Sequence, residues 1–160
     1  MGLILRNFNN HTYFMTKALE LARRAQEQDE VPVGCVIVQE SKIIAQAYNQ
    51  VERLKDSTAH AEMIAITQAE SYLGSKWLKG CRVYVTIEPC FMCACAFVLC
   101  RISKLFFGAP EPKTGAFGSV SDINRFNLNH RIEVSKGLLE DECRGLLQDF
   151  FKKKRQPCIG

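Results

Sequence analysis

No stretch of about 18 consecutive apolar residues occurs in the chain, so no segment reads as a membrane-spanning helix. The start, Met1-Gly2-Leu3-Ile4-Leu5-Arg6-Asn7, holds too few apolar residues before Arg6 for the core of a secretion signal. Arg6 stands where N-myristoylation needs Ser or Thr, and Cys158 is third from the end, not fourth as prenylation requires. No internal repeat, low-complexity tract or interdomain linker is visible, and 160 residues is the length of one domain. A chain of that size buries about 68–70% of its unfolded surface and needs no cross-links. Charge of one sign is also scarce: 21 Lys and Arg against 17 Asp and Glu give a net +4. That balance permits an acidic partner such as RNA without arguing for one.

Cysteine, by contrast, is plentiful, with eight residues. With no export signal, the expected state is reduced thiol in a cytoplasmic protein. Some of these thiols would hold metal and the rest would pack as small apolar side chains. Cys35, Cys81, Cys95, Cys100, Cys143 and Cys158 have no assigned role.

Periodicity places the elements. Residues 1–10 read as a loose lead-in and 12–28 as a helix, with Phe14, Ala18, Leu21, Ala22 and Ala25 at helical spacing. Residues 33–38 are a β-branched apolar run, hence a buried strand, and 42–48 complete a hairpin. Residues 51–58 are polar and irregular. A helix follows from near Ala59 to Leu73, ended by Gly74. Then come a strand over 82–87, a helix over 91–101 opened by Pro89, and a strand over 104–107. A loop over 108–118, a strand over 131–134 and a last helix over 138–156 complete the chain. Alternating strands and helices predict a single α/β domain, a three-layer α-β-α sandwich. The opening hairpin makes its five-stranded sheet mixed.

The chemistry-bearing residues are His60-Ala61-Glu62 and Pro89-Cys90-Phe91-Met92-Cys93. Zinc prefers nitrogen and thiolate ligands, and a catalytic site uses three of them and leaves the fourth position open. Cys90 and Cys93, three apart at a helix start, present both sulfurs on one face. His60 belongs to the start of a different helix, so the metal would lie between two helix N-termini. Two thiolates cancel the charge of Zn2+, and the partial positive charge of the helix ends keeps the thiols ionised. Hydrolysis then needs a base beside the water, and Glu62 is placed for that: it can take a proton and pass it on. Only three histidines exist, and neither His11 nor His130 has a neighbouring ligand pattern. Two other readings compete. Cys81, Cys95 or Cys100 could close a structural zinc site, and Cys90, Cys93, Cys95 and Cys100 could hold an iron–sulfur cluster. Against them, Cys95 at i+2 from Cys93 points elsewhere on a helix, and Cys100 suits the core.

The paired H-x-E and P-C-x-x-C are the signature of zinc nucleobase deaminases. Further segments extend the match: Thr58-Ala59-His60-Ala61-Glu62-Met63, Tyr84-Val85-Thr86-Ile87-Glu88-Pro89-Cys90, Phe107-Gly108-Ala109, Lys113-Thr114-Gly115-Ala116 and Asp149-Phe150-Phe151. Over residues 12–156 the chain resembles the bacterial tRNA-specific adenosine deaminase family of the cytidine/deoxycytidylate deaminase superfamily. The resemblance implies a cytidine-deaminase-like fold, one Zn2+ per subunit, no organic cofactor and a homodimer. It implies hydrolysis of the wobble adenosine of a tRNA anticodon stem-loop, in bacteria typically of the arginine tRNA, to inosine. It also implies that Asn49 hydrogen-bonds the flipped base, that Val33 lines its pocket, and that Ala61, Glu111 and Lys113 belong to substrate binding. Further RNA-binding candidates are Phe151 and the run Lys152, Lys153, Lys154 and Arg155, a run that equally suits a helix C-terminus. Four positions depart from the family pattern: Pro110-Glu111 replaces a basic residue and aspartate, Cys95 a glycine, and Ser57 a common proline. A deaminase of free guanine or cytosine would share every zinc residue. A non-catalytic RNA-binding subunit should have lost Glu62.

Overall fold

The computed structural model describes residues 2–156, with side chains from Asn10 onward; Cys158 lies outside the described residues. The chain forms helix α1 (Gly2–Glu27), strands β1 (Gly34–Gln39) and β2 (Lys42–Tyr48), a single-turn α2 (Val51–Leu54) and α3 (Ala61–Leu73). Then follow β3 (Cys81–Ile87), α4 (Phe91–Cys100), β4 (Lys104–Ala109), β5 (Glu133–Lys136) and α5 (Glu140–Arg155). The sheet order is β2-β1-β3-β4-β5. Strand β1 is antiparallel to both β2 and β3, whereas β3, β4 and β5 run parallel, so the sheet is mixed as expected.

Alternation along the central strands builds the layers. Cys35, Ile37, Val83 and Val85 face one core, packed with Ala65 and Ala69 of α3 and Ala94 and Phe97 of α4. Val36, Val38, Tyr84 and Phe106 face the other, packed with Phe14, Met15 and Ala18 of α1 and Cys143 of α5. Hence α3 and α4 cover one face and α1 and α5 the other. Gly34 allows α1 this close to the sheet: a Cβ there would overlap the Ala18 carbonyl oxygen.

Three expectations change. Residues 2–10, expected as a loose lead-in, continue α1, because Leu3, Ile4, Leu5 and Arg6 favour the helix and nothing between them and the amphipathic stretch breaks it. Residues 51–54, expected as irregular, form a helical turn. The buried Glu30 carboxylate accepts hydrogen bonds from the Glu52 and Arg53 N–H groups, at 3.0 and 2.6 Å, satisfying donors that a helix start leaves open. The last strand lies two residues later than the predicted 131–134. Asn124 brackets Ile132, accepting from its N–H at 3.1 Å and donating to its carbonyl at 2.9 Å, which removes that residue from the sheet ladder.

Candidate active site

The site forms at the carboxyl end of β3, where the sheet changes from antiparallel to parallel pairing. Such switch points are where α/β sheets open a crevice. Pro89 follows β3 and turns the chain into α4, whose N-cap is Cys90. His60 is the N-cap of α3 on the same face of the sheet. Neither cap uses its side chain to close its own helix, which leaves both free for the space between the helix ends.

His60 Nδ1 lies 3.7 Å from Cys90 Sγ and 3.6 Å from Cys93 Sγ. Among the described residues this trio is the cluster able to hold a metal, with all donor atoms within 4.8 Å of one another. Zinc bonds of about 2.3 Å to sulfur and 2.0–2.1 Å to nitrogen, opened to a tetrahedral angle, separate S and N by about 3.6 Å. The spacing and the one-nitrogen, two-sulfur donor set therefore fit zinc with a position to spare. Cys95 is exposed and Cys100 is buried in the core, so neither completes a four-cysteine cluster. The seven described cysteines are all free thiols. His11 and His130 are engaged elsewhere, with the Tyr84 hydroxyl and the Ile102 carbonyl. His11 lies within α1.

The sulfurs titrate as a pair. A hydrogen bond from Cys93, followed by one from His60, holds Cys90 down to about 4, and the shared proton pushes Cys93 up. The hydrogen bond with Cys90 raises His60 above its usual 6.5. Binding a dication to such a cluster is coupled to loss of its remaining proton. Glu62, in the first turn of α3, is 3% exposed. Burial pushes its carboxyl up to about 7, against smaller opposing effects that include a hydrogen bond with Cys93. A carboxylate poised near neutrality beside the metal trio suits reversible proton transfer.

His60, Glu62 and Cys90 line a cleft of about 940 Å³. Val33, Asn49 and Glu111 form part of its wall, and so do Phe151 and Lys154. Ala61 and Lys113, predicted for substrate binding, are not in the wall. Ala61 is fully buried in the core beneath the sheet-facing side of α3. Lys113 is exposed, its long charged side chain solvated while its N–H donates to Glu111 Oε1 at 2.9 Å. Likewise Lys152, Lys153 and Arg155 stand outside the wall, because consecutive helical residues point in different directions. Lys154 is not free either: its ammonium donates to Asp29 Oδ2 at 2.6 Å. Sequence reasoning missed Glu30, Ile87, Glu88 and Thr114, which also line the cleft.

The family model of the cytidine and deoxycytidylate deaminase zinc-binding region matches residues 8–109. The chain is 51% identical over 148 residues to a tRNA-specific adenosine deaminase of Aquifex aeolicus (strain VF5), covering 92% of this chain and 97% of that one. It is 44% identical over 144 residues to the protein of that name from Bacillus subtilis (strain 168), covering 89% of each. A solved tRNA:A34 deaminase, studied for A-to-I editing at the wobble position of transfer RNA, superimposes with a TM-score of 0.80 at 43% identity. That match covers 85% of this chain and 99% of the other. The guanine deaminase from Nitrosomonas europaea, at 24% identity and a TM-score of 0.75 over 87% of this chain and 83% of that one, shares the fold.

Proposed function

Since the chain belongs to the cytidine and deoxycytidylate deaminases and, with 51% and 44% identical relatives, to the tRNA-specific adenosine deaminases, we propose that it hydrolyses the wobble adenosine of a tRNA anticodon, the arginine tRNA foremost, to inosine and ammonia. The observation that carries this reading is the trio His60, Cys90 and Cys93 with the buried Glu62 beside it, of which His60, Cys90 and Glu62 line one cleft.

In this reading His60, Cys90 and Cys93 are the zinc ligands. Zinc, when bound, lowers the pKa of water to about 7 and so supplies a nucleophile at neutral pH. Glu62 accepts a proton from the attacking water and gives it to N1 of the adenine as oxygen bonds to C6. It then takes the proton of the new hydroxyl and delivers it to the amino group as the C6–N bond breaks. Ammonia leaves, C6 becomes a carbonyl, N1 keeps its hydrogen, and Glu62 ends ionised as it began.

The substrate must arrive flipped out of its stack, because no base within a helix can reach a buried carboxylate. The Asn49 amide reads the base edge, Val33 packs against the ring, and Glu111 faces the ribose. Phe151, 43% exposed at the cleft, offers a face for a flanking base, and Lys154 a charge for phosphate once it exchanges its Asp29 partner.

The working form is a homodimer. Helix α4 is apolar around its whole circumference, a pattern that suits burial on every side. It buries Cys93, Ala94 and Phe97 in the subunit yet exposes Phe91, Cys95 and Leu99, the last to 78%. The 123–125 turn packs on α4, and Phe126 and Leu128 beside that turn are exposed. A second copy would cover this surface. Among the described residues no helix is long and apolar enough to cross a membrane. Work on tRNA suits a cytoplasmic enzyme.

The test is to incubate the protein with an anticodon stem-loop, with free nucleosides and with free bases, reading inosine by mass spectrometry. The stem-loop alone should be converted. Turnover of a free base with none of the stem-loop would overturn the proposal.

A further inference from the structure

Three carboxylates are buried among the described residues: Glu30, Glu62 and Glu88. Glu62 is assigned to proton transfer, and Glu30 caps the turn at 51–54. Glu88, 2% exposed, has a different set of partners, all from one loop. Its Oε1 accepts from the Glu111 N–H at 3.2 Å and from the Ser119 hydroxyl. Its Oε2 accepts from the N–H groups of Phe117 and Ser119, at 3.0 and 3.2 Å. Four donors from residues 111–119 thus converge on one side chain, about as many as a carboxylate can accept.

The loop is wrapped tightly on this group. A Cβ at Gly115 would overlap the Glu88 carboxylate, so the loop backbone has closed to a distance only glycine permits. The Ala116 N–H donates to the Pro89 carbonyl at 3.0 Å, and Gly115 pairs with Cys90 across an isolated bridge. The loop therefore rests on the segment that leads into α4. Glu111 and Thr114, which line the cleft, are carried by it.

We propose that Glu88 is a positioning residue: it shapes the 111–119 loop into a preformed cleft wall and thereby sets how tightly the RNA is held. This rests on the tRNA reading above. A wall already ordered before binding spares the complex the entropy of ordering it later. Without the Glu88 charge, the Glu111 N–H loses its acceptor and the wall must be ordered by the substrate. The loss falls on binding, because both Glu88 oxygens are taken up by the loop, whereas His60, Cys90 and Cys93 are held at the starts of α3 and α4.

Glu88→Gln is the sharpest variant. Its amide oxygen can retain the Phe117 and Ser119 N–H bonds while its NH2 faces the Glu111 N–H, which selectively frees the cleft wall. Ser119→Ala is the milder companion, removing one donor from an exposed position. Zinc content, kcat and KM are measured on an anticodon stem-loop. Glu88→Gln should raise KM about tenfold, and Ser119→Ala about threefold, with kcat within about twofold and zinc retained. An unchanged KM in Glu88→Gln, or a joint loss of zinc and kcat without a change in KM, overturns the proposal. If Glu88→Gln does not fold, an unchanged KM in Ser119→Ala overturns it equally. A wild-type protein inactive on the stem-loop overturns the functional reading, and the inference with it.

Discussion

His60 Nδ1 stands 3.6 Å from Cys93 Sγ, although 33 positions separate the two residues in the chain. Two helix starts, one after a β-hairpin and one after a parallel strand, are brought together to make that contact. His60→Ala and Cys90→Ala should each lose metal and activity together, with kcat/KM falling by more than about 100-fold. Metal content by plasma mass spectrometry beside the inosine assay checks this. Stoichiometric zinc with full turnover in either variant would show the ligand set to be wrong.

Glu62 separates chemistry from metal binding. Glu62→Gln is close in volume and leaves the trio of His60, Cys90 and Cys93 untouched. It should keep one zinc per subunit and lower kcat by about 10²–10⁴, the range for removing a positioned acid–base group. KM for the stem-loop should change little. Undiminished single-turnover deamination would remove Glu62 from proton transfer.

Leu99 tests the assembly. It is the most exposed large apolar residue described on α4, on a helix with no polar face. Leu99→Glu should turn a dimer into a monomer in light scattering after size exclusion, because a buried charge without a partner is strongly disfavoured. A wild-type chain that is monomeric at every micromolar concentration would contradict the dimer.

The metal trio and Glu62 were legible in the sequence because each pair is local: His60 and Glu62 share one turn, Cys90 and Cys93 another. The layers were legible for the same reason, since the continuous apolar run at 33–38 and the helical spacing at 12–28 are patterns of near neighbours. What stayed hidden is made by distant segments. Glu88 reads as part of a motif, and only the folded loop shows four donors converging on it. The short α2 exists because Glu30, 22 positions away from Glu52, caps its N–H groups. The basic run looked uniform, yet the fold brings Lys154 alone of the four to the cleft wall.

That asymmetry in the basic run has a measurable consequence. Phe151→Ala and Lys154→Ala should raise KM for the stem-loop, Phe151→Ala by roughly 5- to 150-fold, the equivalent of about 1–3 kcal/mol of base stacking. Lys154→Ala should reduce the slope of log KM against log salt by about 1 if its charge meets phosphate. Lys152→Ala and Lys153→Ala, outside the wall, should shift KM less than either. A stronger effect from Lys152 or Lys153 than from Lys154 would move the RNA path to another face of α5.

His11 gives the fold a dependence on pH that is remote from the metal. Its ring stacks on Phe106 with centroids 4.4 Å apart, and its Nδ1 is 2.7 Å from the Tyr84 hydroxyl. Burial, then the charges of Arg82 and Lys104, hold its pKa below the usual 6.5. The folded protein thus resists the proton that the unfolded chain accepts, so stability is complete above pH 6.5 and declines as pH falls through that value toward the folded pKa. Urea midpoints measured at about pH 7.5 and 5.5 should fall further for the wild type than for His11→Gln, which has nothing to titrate at this position. Equal falls in the two proteins would show that protonation elsewhere governs acid stability in this range.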